Sequence, residues 1–163
     1  MRNIVLVGFS GAGKSTVGRK IADKSGMEFI DLDLYLEGKY RTAVPLLFRR
    51  YGESAFRSLE YAALCEVLEK DGVVIATGGG APCHADAMDR INARARSIYL
   101  RLTENQIVER LLHSRKKRPL TNHLTEPEMR EYVHNTLAKR EPFYTQADEG
   151  WDSDTIAGRL HSL

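Results

Sequence analysis

The sequence predicts an α/β protein built on a parallel sheet, and three observations carry that prediction. Short apolar runs recur at residues 4–7, 29–30, 73–76 and 98–100. Helical patterns lie between them. A glycine-rich turn follows the first run and leads directly into one of those helices. The runs lack polar alternation, as strands do when helices cover both faces of a parallel sheet. Strands alternating with helices imply right-handed βαβ crossovers.

The elements follow in order. Residues 14–25 carry Val17 and Ile21 at helical spacing and stop at Gly26, a good C-terminal cap. Tyr61, Leu64 and Leu68 mark the inner stripe of a helix from about Arg57 to Lys70, ended by Asp71-Gly72. Ile107, Val108 and Leu111 place another over 104–112. Thr125-Glu126-Pro127-Glu128 is a capping box with a first-turn proline, opening a helix that runs towards Lys139. A fifth strand is weakly signalled, with only Glu149-Gly150-Trp151 to supply it. A last amphipathic helix carries Ile156, Leu160 and Leu163.

Composition sets the bounds. The chain of 163 residues has the length of one domain and can bury a sizeable core. A net charge of +2 argues against a general nucleic-acid binder, which carries a strong basic excess. The first apolar run is far too short for a signal segment or a membrane span. Two cysteines, Cys65 and Cys83, suggest a reducing compartment rather than a disulfide framework. The expectation is a single cytoplasmic domain over 1–163 with neither nucleic acid nor membrane as partner.

Gly8-Phe9-Ser10-Gly11-Ala12-Gly13-Lys14-Ser15 matches G-x-x-x-x-G-K-[ST], between a strand and a helix as the motif demands. Its glycines let backbone N–H groups turn in on phosphate oxygens, and the helix N-terminus adds its dipole. Gly11, Ala12, Gly13, Lys14, Ser15 and Thr16 form the expected cradle for a nucleoside triphosphate. Lys14 reaches for the β- and γ-phosphates and the Ser15 hydroxyl for Mg²⁺.

In an open parallel sheet ligands sit beyond the carboxyl ends of the strands. Asp31 and Asp33 follow the second run, two carboxylates spaced to leave a strand on the same side. One suits a magnesium-bound water shell and the other a substrate hydroxyl; the plain alternative is that they start the next helix. Gly78-Gly79-Gly80 follows the third run and permits backbone amides to approach a ligand, or is a plain flexible loop. Arg57, early in its helix, calls for an anionic partner, or for pairing with Glu60. Residues 115–119 form a basic cluster, either a solvated charge run or a loop that closes on the triphosphate. Arg140 fits a surface cation near a helix end equally well.

Taken together, these segments resemble the shikimate kinase family, small P-loop kinases of aromatic amino-acid biosynthesis. The resemblance rests on Gly8 to Thr16, Asp31-Leu32-Asp33, Gly52-Glu53 with Phe56-Arg57 and Glu60, Thr77 to Gly80, Arg118-Pro119-Leu120 and Arg140-Glu141-Pro142-Phe143-Tyr144. It implies the nucleoside-monophosphate-kinase-like three-layer fold with five parallel strands in order 2-3-1-4-5. It implies ATP and Mg²⁺, with transfer of the γ-phosphoryl group to the 3-hydroxyl of shikimate. By position, Lys14, Asp33 and Arg118 would be catalytic. Ser15 and Asp31 would serve the metal, and Arg110 and Arg118 would join the ATP site. Asp33, Arg57, Gly79, Gly80 and Arg140 would hold the acceptor, within a substrate segment of about 32–61 and beneath a lid of about 112–124. The stretch from Arg41 to Phe48 departs from the family pattern, losing a Gly, a Ser and an acid, and Trp151 stands where the family tends to be aliphatic. A gluconate-type kinase and a non-catalytic nucleotide-binding module are the alternatives. Arg57, Arg140 and the triple glycine argue against the first; Lys14, Ser15, Asp31 and Asp33 argue against the second.

Overall fold

The computed structural model describes residues 1–114 and 121–163. Five parallel strands lie in the order β2-β3-β1-β4-β5. They are β1 (Asn3–Val7), β2 (Glu28–Asp31), β3 (Val73–Ala76), β4 (Ala95–Arg101) and β5 (Glu149–Asp152). The weakly signalled fifth strand is therefore present. Its Trp151 is buried and packs with Leu6, Ile98 and Leu100.

Helices α1 (Lys14–Ser25), α2 (Leu32–Tyr40), α3 (Val44–Leu68), α4 (Ala87–Arg94), α5 (Glu104–Leu112), α6 (Glu126–Tyr144) and α7 (Ile156–His161) cover the sheet. Two apolar clusters result. Val5, Val7 and Ile75 meet α3 and α4 on one face, while Leu6, Val74 and Ile98 meet α1, α5 and α6 on the other. Alternate residues of β1 thus point into different layers, which explains why every residue of β3 is buried. Among the described residues no helix is long and apolar enough to cross a membrane.

Three elements differ from the expectation. The helix expected from Arg57 begins at Val44 and is broken at Gly52, whose φ of 80° and ψ of 170° separate two legs. Arg57 therefore lies in the second leg rather than at a helix start. Helix α2 was hidden behind the aspartates. Asp31 ends β2 and caps α2, its Oδ1 accepting from the Asp33 and Leu34 N–H groups at 3.0 and 3.2 Å. The two carboxylates consequently leave different elements, not one strand. Helix α6 passes Lys139 and ends at Tyr144, with Pro142 in its last turn. A proline there removes one N–H bond; the fully buried Tyr144 anchors the turn nevertheless.

Candidate active site

Sheet order brings the site together. β3 lies between β1 and β2, with Leu6 and Asp31 both opposite Ala76 in register. The segments leaving these three strands therefore emerge side by side. Thr77 secures the arrangement, its N–H and hydroxyl both donating to the Leu6 carbonyl, at 3.2 and 2.8 Å. Over these strand ends opens a cleft of about 1030 Å³. The first turn of α1, Asp31, Asp33, Arg57, residues 77–80, Arg110 and Arg140 all line it.

The phosphate cradle forms one end. Gly13 stands at φ 92° before α1, a left-handed conformation that turns the loop into the helix. The Lys14 ammonium is buried and donates to the Gly8 and Phe9 carbonyls. The Ser15 hydroxyl donates to Asp31 Oδ2 at 2.7 Å. A hydroxyl and a carboxylate this close at a helix N-terminus are oxygen donors of the kind that Mg²⁺ takes alongside substrate phosphates. Arg110, in α5, donates to the Gly11 carbonyl at 3.2 Å and so lies against the loop.

The other end is a cationic wall. Arg57 donates to Glu60 at 2.8 Å, so the i,i+3 pairing does occur. Glu60 is only 2% exposed, and burial raises its pKa above the ordinary carboxylate value, with Arg57 opposing the rise. Arg140 comes from the far end of α6 and lies 5.4 Å over the Phe9 ring. It is thus no plain surface cation. Asp33 stands near the same turn, and a Cβ at Gly78 would lie 3.4 Å from its Oδ1 and 3.1 Å from Glu60 Oε2.

The triple glycine is a platform rather than a flexible loop. A Cβ on Gly80 would lie 2.5 Å from Arg57 Cζ, and one on Gly79 would lie 2.9 Å from Arg140 Nη1 and 2.7 Å from Ser10 Oγ. The absent side chains make room for the two guanidinium groups. Sequence reasoning assigned that room to a ligand; the arginines occupy it first.

The apolar part of the wall was missed. Val44, Pro45, Phe48 and Phe56 line the cleft, with the Phe48 and Phe56 rings 5.5 Å apart. Val44, Pro45 and Phe48 belong to the segment that departs from the family pattern, whereas Phe56 belongs to one that matches it. Ala43 supplies no side-chain cap for α3; Glu37 of α2 does instead, accepting from the Val44 N–H at 2.7 Å. Phe9, Ser10 and Tyr132 were missed as well. Only an aromatic residue inside the phosphate loop hinted at the first. Arg118, expected in the catalytic and ATP sets, lies outside the described residues, as do residues 115–120 of the expected lid.

A phosphate loop and a wall of arginines sharing one cleft beyond a parallel sheet define an ATP-dependent P-loop kinase acting on a small molecule. A family model, "Shikimate kinase", matches residues 10–157. The shikimate kinase of Parabacteroides distasonis is 42% identical over 96% of this chain and 90% of its own. The crystal structure of shikimate kinase from Bacteroides thetaiotaomicron superposes with a TM-score of 0.93 at 37% identity, covering 99% of this chain and 96% of that one. Shikimate kinase from Acinetobacter baumannii, solved in complex with shikimate, gives 0.88 at 32% identity, covering 99% and 92%. The chain belongs to the shikimate kinase family.

Proposed function

We propose that this chain transfers the γ-phosphoryl group of ATP to the 3-hydroxyl of shikimate, giving shikimate 3-phosphate and ADP. The observation that carries the reading is the pairing of Arg57 and Arg140 on the glycine turn, beside the phosphate cradle and Asp33 in one cleft. Two planar guanidinium groups fit a carboxylate bidentately, as lysines would not. The amides of Gly79 and Gly80 add donors to the same anion. Asp33 accepts from the acceptor's hydroxyls and orients the one that attacks. It need not remove the proton early, because a loose transition state develops little charge on the attacking oxygen.

Lys14 and the cradle amides hold the phosphates, with Arg110 beside the adenine. Ser15 and Asp31 would hold Mg²⁺, which when bound neutralises charge on the phosphate oxygens. Arg118 completes this assignment from outside the described residues. Residues 32–61 form the acceptor segment of a single kinase domain, one that works as a cytoplasmic monomer without nucleic acid or membrane.

An ADP-release assay with ATP and Mg²⁺ tests the reading, comparing shikimate, gluconate and buffer. Turnover with shikimate alone is expected. Turnover with gluconate but not shikimate, or with neither, overturns it.

A further inference from the structure

Tyr144 is buried, titratable and outside every role assigned so far. Its ring is fully buried and lies 5.1 Å from that of Tyr99. Its hydroxyl donates to the Gly79 carbonyl at 2.5 Å, across 65 residues of sequence. Burial pushes the hydroxyl's pKa well above the usual tyrosine value, so it remains a donor at neutral pH.

The peptide that follows this carbonyl joins Gly79 to Gly80. No peptide among the described residues is cis. In a trans peptide the carbonyl oxygen and the next N–H point to opposite sides. Holding the Gly79 oxygen back towards α6 therefore turns the Gly80 N–H the other way. Gly80 lines the cleft, and among the described residues no protein acceptor meets its N–H.

We infer that Tyr144 is a positioning residue of the acceptor site: its hydroxyl locks the Gly79–Gly80 peptide so that the Gly80 N–H is presented to the acceptor's carboxylate. A glycine peptide is the one most in need of such a lock, because neither flanking residue has a Cβ to restrict its rotation. Tyr144 is also four residues from Arg140 in α6, so one helix end sets both a guanidinium and an amide of the same wall. This inference rests on the shikimate reading proposed above.

Tyr144→Phe tests it, since the change keeps the ring and deletes the hydroxyl, which donates to Gly79 and also meets the Arg140 guanidinium. A KM effect of Tyr144→Phe that persists beside Arg140→Ala belongs to the glycine peptide, and one that vanishes there overturns the inference. The expected result is a shikimate KM raised about tenfold, near the upper worth of one hydrogen bond, with kcat and the ATP KM within about twofold of wild type. Tyr99→Phe is the control. That ring is also buried, but its hydroxyl donates to Glu141 and not to the glycine turn. It should lower Tm with little effect on the shikimate KM. An unchanged shikimate KM in Tyr144→Phe overturns the inference, as do parallel rises for shikimate and ATP, or equal KM effects in the two variants. Wild-type enzyme assayed alongside separates the two levels. If it does not phosphorylate shikimate, the underlying reading falls and this one with it. If it does and Tyr144→Phe behaves like it, only the role of Tyr144 falls.

Discussion

The two ends of the cleft are built in opposite ways. The phosphate cradle is one stretch of chain, made of backbone amides, one lysine and one hydroxyl between β1 and α1. The acceptor wall draws on the second leg of α3, the turn after β3, the end of α6 and the cap of α2, which are far apart in sequence. The cradle holds its shape through local backbone conformation. The wall holds its shape only because strand order brings those segments together and because glycines leave room for guanidinium groups. Damage to the cradle should therefore act on chemistry, and damage to the wall on recognition.

The largest effect should come from the cradle. Lys14→Met removes the one buried ammonium there, and kcat with shikimate should fall about 10³-fold, as when a preorganised donor to the transition state is lost. The shikimate Kd, read by calorimetry without nucleotide, should change little. A large loss of shikimate binding would erase the division between the two ends. Tm guards against a folding artefact, since the ammonium also holds the Gly8 and Phe9 carbonyls.

This contrast also explains what could be read in advance. The cradle was legible because its chemistry is written in eight consecutive residues, and the sheet was legible because buried parallel strands are continuously apolar. Strand β5 was nearly hidden, because Glu149-Gly150-Trp151-Asp152 carries a single buried side chain. Helix α2 was masked because Asp31 both faces the cleft and caps the helix. Arg57 and Arg140 were identifiable as arginines worth attention, but their meeting place was not. Two guanidinium groups lying on Gly79 and Gly80 depend on β3 being next to β1 and on α6 running past Lys139. No local pattern records either fact. Phe9 and Tyr144 stood in recognised segments without a role of their own for the same reason, since each meets a partner distant in sequence.

A smaller, more selective effect is expected at the platform. Gly80 has φ −95° and ψ −10°, a conformation that alanine accepts, so Gly80→Ala introduces no backbone strain. Its Cβ would nonetheless stand 2.5 Å from Arg57 Cζ, so the guanidinium must move. A charge-assisted hydrogen bond contributes about 1.5–3 kcal/mol. The shikimate KM should therefore rise at least about tenfold, with the ATP KM nearly unchanged. Combining Gly80→Ala with Arg57→Ala should cost little more than Arg57→Ala alone, because both remove one contact. Additive losses would mean that the added methyl disturbs the acceptor site by a route other than displacing Arg57.

The smallest effect concerns a buried carboxyl in the wall, where the cradle instead buries an ammonium. Glu60 is buried against Arg57, and burial outweighs that attraction, so its pKa lies above 4.5 in the folded chain. A carboxyl with a raised folded-state pKa favours folding in its protonated form. Its contribution to stability is fully present below about 4.5 and is lost as pH rises through the raised value. Glutamine at this position does not titrate. The Tm of Glu60→Gln minus that of wild type should therefore become more positive as pH rises from about 4 to 7, each unit of pKa shift being worth about 1.4 kcal/mol. The opposite slope would show that Arg57 wins over burial. In that case the ion pair itself would hold Arg57 on the glycine platform, and the wall would depend on charge pairing rather than on the close packing of Arg57 against Gly80.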